Sequence, residues 1–344
     1  MPTADTDVLS AAYRTLKEAC GLVDRSERGK LALTGSGAVE FLNGQVTNEL
    51  ADLHPGEGRY AAFLTHKGKM LGDLRILAVA GEDAGAPIEL LLDTERVALQ
   101  ALFDMIRRFK VGYEVELHKR TLERGLLSLI GPEAAMVAGG DGSEIQRLAE
   151  IEHSSAPVDI DRAAALAVRT DVGIDLICDA AETEALTAAL LARGAAQVAP
   201  QAAEYLRVEL GRPRFGIDLD ETTIPQEAGL NERAVSFTKG CYVGQETVAR
   251  LHYRGKPNRH LRGLRLSAPA ATGDELALAD RPVGRIGSAV ISPALGPIAL
   301  ALVRREAEPG AIVSVGEHGA SAEIVELPFA AAGQEQAPGP AEPG

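Results

Sequence analysis

The pattern of the chain changes at Pro257, and that change limits the folds open to it. Beyond this point the apolar runs 261–266, 283–290, 298–303 and 312–315 are separated by Gly and Pro, and none carries a helical period. Strands this short bury an apolar face by closing on themselves or pairing face to face, so residues 257–329 are expected to form a small β-barrel or sandwich. Before Pro257, strand-like and helix-like segments mix, which is the mark of an α+β chain.

Met1 to Cys20 reads as a polar lead and a short helix. Leu31-Ala32-Leu33-Thr34-Gly35 reads as a strand ending in a glycine turn, followed by helical spacing over 38–42. Gly35-Ser36-Gly37 invites a dinucleotide-binding reading, but Glu40 occupies the place of the third glycine. Residues 60–64, a turn at 66–69 and residues 70–79 predict a hairpin, and 88–92 a further strand. A helix is expected over 95–109, with Val97, Leu99, Leu102, Met105 and Ile106 on its apolar face. Residues 126–130 form an apolar strand ended by Gly131-Pro132, and the Ala-rich stretches 133–139 and 181–193 read as helices around strand material near 165–178.

A chain of 344 residues suits two or three domains. A formal net charge of −14 argues against a general nucleic-acid partner, because phosphate binding needs a basic field. No run reaches the ~18 apolar residues of a membrane span, and the first residues lack the order of a signal peptide. Cys20, Cys178 and Cys241 are odd in number and far apart, which is not a disulfide framework, so a cytoplasmic location is expected.

The block Lys239-Gly240-Cys241-Tyr242-Val243-Gly244-Gln245-Glu246 concentrates the chemistry. Val243, Val248 and Leu251 fit one helical face, which puts Cys241 at or just before a helix N-terminus. Oriented N–H groups and the nearby charge of Lys239 then both favour a thiolate. The plainer reading makes Cys241 a small buried hydrophobe and the glycines a tight turn. Both stand on the residues alone.

The same block resembles the signature of the YgfZ family of folate-binding proteins, with all seven specified positions present. The approach through Gly216-Ile217-Asp218-Leu219 and Ile224-Pro225-Gln226-Glu227 and the exit through Tyr253-Arg254-Gly255-Lys256-Pro257 are also similar to that family. From about residue 21 to 328 the chain resembles the wider glycine-cleavage T-protein superfamily, at Phe41 to Asn48, at Leu206-Arg207-Val208-Glu209-Leu210-Gly211 and at Ile291 to Ala301.

The resemblance implies an α+β, three-domain cloverleaf around a central folate channel with a C-terminal β-barrel. Its parts are a discontinuous domain of residues 1–50 and 119–256, an inserted α+β domain of 51–118, the barrel of 257–329 and a disordered tail of 330–344. It implies tetrahydrofolate or a related folate as cofactor, Cys241 as the catalytic thiol, and Glu209, Lys239, Tyr242, Gln245, Asp93 and Asn48 as folate-binding residues. Glu209 matches the pterin-side glutamate, since one carboxylate accepts from a ring N–H and an amino group together. The cations Arg250, Arg254, Lys256, Arg259 and Arg262 would guide the anionic folate tail or a partner, or form a solvated face.

Two features bear on activity. Aminomethyltransferases carry two consecutive aspartates where this chain has Gly72 and Asp73, and the first of them is the catalytic one in that family, so glycine-cleavage transfer is not expected. Three scattered cysteines do not supply the four thiolates of a private iron–sulfur cluster. The implied role is a folate-binding accessory or repair factor for client iron–sulfur enzymes, including radical enzymes that modify tRNA. A folate-dependent one-carbon transferase or demethylase, and a folate-binding scaffold in which Cys241 is dispensable, are the alternatives.

Overall fold

The computed structural model describes residues 3–81, 88–139, 145, 148, 151–317 and 319–329. The chain divides into two compact units, one of Met1–Ala203 with Asp220–Lys256 and the other of Glu204–Leu219 with Pro257–Gly344.

In the first unit, helix α1 (Thr3–Glu18) leads into strand β1 (Gly21–Asp24), and strand β2 (Gly29–Thr34) turns at Gly35 into helix α2 (Ala38–Asn43), as the sequence suggests. Gly35 has φ +105°, and a Cβ there would stand 2.2 Å from the Glu114 carbonyl oxygen, so only glycine fits the turn. Strands β3 (Gly58–Leu64) and β4 (Met70–Val79) pair as the expected antiparallel hairpin. With β2, β5 (Glu89–Thr94) and β6 (Glu116–Lys119) they make a five-stranded sheet in the order β3-β4-β5-β2-β6. Strand β2 comes from before residue 51, so this sheet draws on both sides of that position. Helix α3 (Leu99–Phe109) starts four residues later than expected, because Glu95 to Ala98 turn before it, and Val97 is left 64% exposed.

The second sheet of this unit runs β11-β1-β7-β10-β9-β8, built from Ala196–Gln197, Gly21–Asp24, Arg124–Ile130, Gly173–Asp179, Ala163–Thr170 and Ser155–Ile160. Helices Ala134–Gly139 and Thr183–Ala192 cover its apolar face, where Leu22, Leu127, Leu129, Ile174, Leu176, Leu186 and Leu190 are buried. Each such Leu or Ile contributes ~1.5–3 kcal/mol by burial, which lets a chain without Trp build a core.

The second unit is a closed six-stranded barrel in the order β12-β15-β14-β13-β16-β17. Its strands are Arg259–Leu266, Gly296–Arg304, Arg281–Ser292, Glu275–Leu278, Ile312–Val315 and Ala320–Val325. The barrel and the mixed α+β class are as expected. Strands β13 and β17 escape a reading by apolar runs because only alternate residues face the barrel core, Leu276 in one and Ala322 and Ile324 in the other. The expected disordered tail of 330–344 lies outside the described residues. Among the described residues no helix is long and apolar enough to cross a membrane.

Candidate functional site

The segment carrying Cys241 is an irregular loop held from beneath. The Lys239 ammonium donates to the backbone carbonyls of Asn43 at 2.8 Å, Val46 at 3.0 Å and Asn48 at 2.5 Å. Its side chain is buried and stands 5.4 Å from the centre of the buried Tyr242 ring, a cation–π contact. Burial pulls Lys239 down to about 8, and three carbonyl acceptors favour its charged form, so it is an ammonium at neutral pH. Burial pushes Tyr242 up to about 12. The loop is further tied by Ser236 N–H to Thr47 O at 3.0 Å, Val243 N–H to Gly44 O at 3.2 Å, and Phe237 stacked on His252 at 3.7 Å.

Cys241 itself is exposed, which removes the buried-hydrophobe reading, whereas Cys20 and Cys178 are buried. The helix expected to begin at the block begins later, at Gln245 (Gln245–Arg254), with Gly244 as its N-cap, so Cys241 lies three residues ahead of the cap. The charge of Lys239 is likewise directed into the 43–48 turn. The late helix start has a local cause: Gly244 at φ +84° makes the sharp turn that launches the helix, and the residues before it must be loop. A Cβ on Gly244 would stand 2.6 Å from Thr65 O, and one on Gly68 would stand 2.7 Å from the Thr247 side chain, so hairpin turn and helix start are packed glycine against glycine.

Gln245 directs its amide nitrogen toward Gly240 O at 3.5 Å, while its Oε1 is buried with no hydrogen-bond partner. Asn48 is spent on the fold. Its amide nitrogen donates to Tyr60 O at 2.9 Å and Arg233 O at 3.3 Å, and its oxygen accepts from Glu49 N–H at 2.9 Å.

Asp93 is fully buried between two guanidiniums, with Arg28 Nε on one oxygen at 2.8 Å and Arg75 Nε on the other at 2.7 Å. Burial opposes its charge, but the two arginines outweigh that cost and hold the carboxyl well below its usual range. Arg75 also donates to Asp175 of the other sheet at 2.6 Å, and Asp175 accepts from Ser128 at 2.6 Å. The ion chain thus crosses between the two sheets of the first unit.

Gly72 and Asp73 face opposite ways on β4. A Cβ on Gly72 would meet the Phe63 ring at 2.7 Å and Ala98 at 2.6 Å, so position 72 has no space for a carboxylate. Asp73 points inward, its Oδ2 accepting from the Tyr60 hydroxyl at 2.6 Å. Burial pushes Asp73 up to about 6 against the pull of that hydrogen bond, and burial next to Asp73 pushes Tyr60 well above its ordinary value. Glycine at 72 therefore does not leave the region without a titratable acid.

Tyr60 and Asn48 also line a cavity of about 830 Å³ with Glu152, His153, Ser155 and Arg233. Nothing in the sequence singled out His153 or Ser155. Their place is marked only from a distance, by Gly56 and Gly58: a Cβ on Gly58 would stand 2.7 Å from His153 O, and Ser155 N–H donates to Gly56 O at 2.7 Å.

Glu209 belongs to the barrel unit, at the end of helix Pro200–Glu209. It accepts from the Ser292 hydroxyl, whose oxygen in turn accepts the N–H groups of Ala294 and Leu295 at 3.0 Å each. Arg207 anchors the same segment on Asp218 at 2.9 Å, so the two charged residues of the Leu206 to Gly211 stretch serve separate tasks.

Residues 3–239 match the model of the GCVT N-terminal domain, and residues 259–330 match the glycine cleavage T-protein C-terminal barrel domain. The chain belongs to the glycine-cleavage T-protein family. It is 30% identical over 332 residues to an aminomethyltransferase of Rubrobacter xylanophilus, covering 93% of this chain and 86% of that protein. It is 27% identical over 319 residues to a putative chloroplastic transferase of Arabidopsis thaliana, covering 90% and 71%. The crystal structure of the T-protein aminomethyltransferase of Bartonella henselae aligns with a TM-score of 0.79 at 24% identity, covering 94% of this chain and 89% of that one, and shares the T-protein fold.

Proposed function

We propose that this chain binds tetrahydrofolate or a related folate and works through the thiol of Cys241, as an accessory or repair factor of the YgfZ kind for iron–sulfur enzymes. The observation that carries this reading is how Cys241 is presented. A buried ammonium with three carbonyl partners is a costly device for holding a surface loop, and what the loop exposes is a thiol. Membership of a folate-linked family and the complete block from Lys239 to Glu246 support the reading. In the first unit Gln245 and Tyr242 are the proposed contacts for folate, and Glu209 of the barrel unit is proposed separately, on the resemblance alone. Lys239, Asn48 and Asp93 already spend their polar groups on the protein, so they are not proposed as direct contacts.

The test is complementation of a YgfZ-deficient cell, reading a tRNA-thiolating iron–sulfur enzyme. The parent chain restores that activity and Cys241→Ala does not; full rescue by Cys241→Ala would sink the role of the thiol. Calorimetry with tetrahydrofolate, parent against Glu209→Ala, tests the folate site separately.

A second reading, which the names of the curated relatives support more directly, is folate-dependent one-carbon transfer of the aminomethyltransferase kind. The buried Asp73–Tyr60 pair favours it, because a carboxyl titrating near 6 can give or take a proton at neutral pH. Methylene transfer from an aminomethyl carrier to tetrahydrofolate by the purified chain, lost in Asp73→Asn with folate binding intact, establishes it. Absence of turnover in the folate-bound parent leaves the first reading alone.

A further inference from the structure

The cavity in the first unit carries free hydrogen-bonding capacity of a particular kind. His153 is 6% exposed, and neither of its ring nitrogens has a hydrogen-bond partner; the Glu152 carboxylate is 3.6 Å away and is engaged by Arg233. Ser155 is 5% exposed, and its hydroxyl also has none. Leaving such groups buried and unpaired forfeits the hydrogen bonds they made with water, a cost that a bound molecule would remove.

The backbone holds His153 in place at a further cost. It takes φ +73°, a conformation uncommon for any residue with a Cβ, and is fixed there by its N–H to Arg169 O at 2.9 Å and by the close approach of Gly58.

The two unpaired buried groups, the His153 ring and the Ser155 hydroxyl, are uncharged. Burial lowers His153 to about 4, so at neutral pH the imidazole offers one N–H and one lone pair, and Ser155 offers one O–H and its lone pairs. Among the described residues the guanidiniums at the cavity are already paired, Arg233 with Glu152 and Arg59 with Asp52 at 3.7 Å and Glu57 at 3.9 Å. Arg233 also lies over the Tyr60 ring at 5.3 Å, and the Tyr60 and His153 rings are 6.3 Å apart, so the lining has flat faces. A charged ligand would meet no free counter-charge at His153 and Ser155. A flat molecule with an adjacent donor and acceptor would satisfy both.

We propose that this cavity is a binding site for an uncharged heterocycle with a lactam or amide edge, read by His153 and Ser155. The inference does not depend on Cys241 or on Glu209. The lactam can come from the pterin of a folate or from a separate small molecule, and the test distinguishes them.

2-Pyridone serves as the probe, titrated into the full chain while the ring ¹⁵N resonances of His153 are followed, with His153→Phe used to assign them. The expected result is saturable binding that shifts the His153 nitrogens, weakened about tenfold by methylating the probe nitrogen and about tenfold by Ser155→Ala. Benzoate, of similar size but charged, is expected not to shift them. Competition by tetrahydrofolate names its pterin as the occupant, and undiminished probe binding in saturating tetrahydrofolate names a second molecule. No saturable shift in the parent, or equal binding by N-methyl-2-pyridone and by the Ser155→Ala chain, overturns the proposal. The parent titration and Ser155→Ala decide it even where His153→Phe fails to fold.

Discussion

The Lys239 ammonium donates to the Asn43 carbonyl at 2.8 Å, joining residues 196 positions apart in sequence. The bond fixes the Cys241 loop on the turn after α2, and one buried cation supplies three of the loop's ties. Replacing Lys239 by Met removes that cation from three carbonyls together, and the expected loss is about 2–4 kcal/mol. Denaturant melts of the parent and Lys239→Met measure it; a change within 0.5 kcal/mol, ~the scatter of surface substitutions, would contradict the assignment.

Thiol reactivity follows burial. In the native chain Cys241 is expected to react with a disulfide reagent, while Cys20, pushed up to about 11 by burial, and Cys178, also raised by burial, wait for unfolding. One equivalent of released chromophore before denaturant and three after is the expected count, and Cys241→Ser should remove the early one.

Asp93→Asn takes the charge from between Arg28 and Arg75 while keeping the shape. Two largely buried guanidiniums then face each other across a neutral group, and a loss of about 3 kcal/mol is expected. Replacing Arg28 and Arg75 by Met in the same variant should recover part of it.

Asp73 and His153 drive stability in opposite directions over one pH range. Asp73 titrates near 6 when folded against 3.8 in the free state, so it binds protons more tightly folded, and its contribution falls as pH rises from about 4 to 6. His153 titrates near 4 when folded against 6.5, so its contribution is full above 6.5 and is lost as pH falls toward 4. Asp73→Asn should therefore make stability rise more steeply with pH between 4 and 6.5, and His153→Phe should make it fall. Urea midpoints across that range test both slopes.

Gly72→Asp is expected to destabilise the hairpin without creating transferase activity, because its Cβ would collide with Phe63 and Ala98. An active, stable Gly72→Asp chain would show that this packing yields.

The barrel and the β3–β4 hairpin were legible because turn glycines and apolar runs agree with the pairing they adopt. Cys241 as an exposed group was half legible: the block marked it, but a helical reading of Val243, Val248 and Leu251 carried the helix too far back, since only Val248 is buried in Gln245–Arg254. Only the resemblance points to Asp93 as a ligand, whereas the register pairs it directly with Lys30 and Arg75. A sign of this was present, as Asp73 and Arg75 lie two apart in an apolar strand and must share a face. His153 left no local sign, because its isolation is a property of two sheets meeting.

The two glycines that face each other, Gly68 in the hairpin turn and Gly244 at the helix cap, have an evolutionary corollary. Neither can acquire a side chain while the other's segment stays where it is, so the pair should be inherited as a unit. A homologue that has lost one of them has also released the constraint on the other, and in such a chain the cysteine-bearing loop must be seated by some different means.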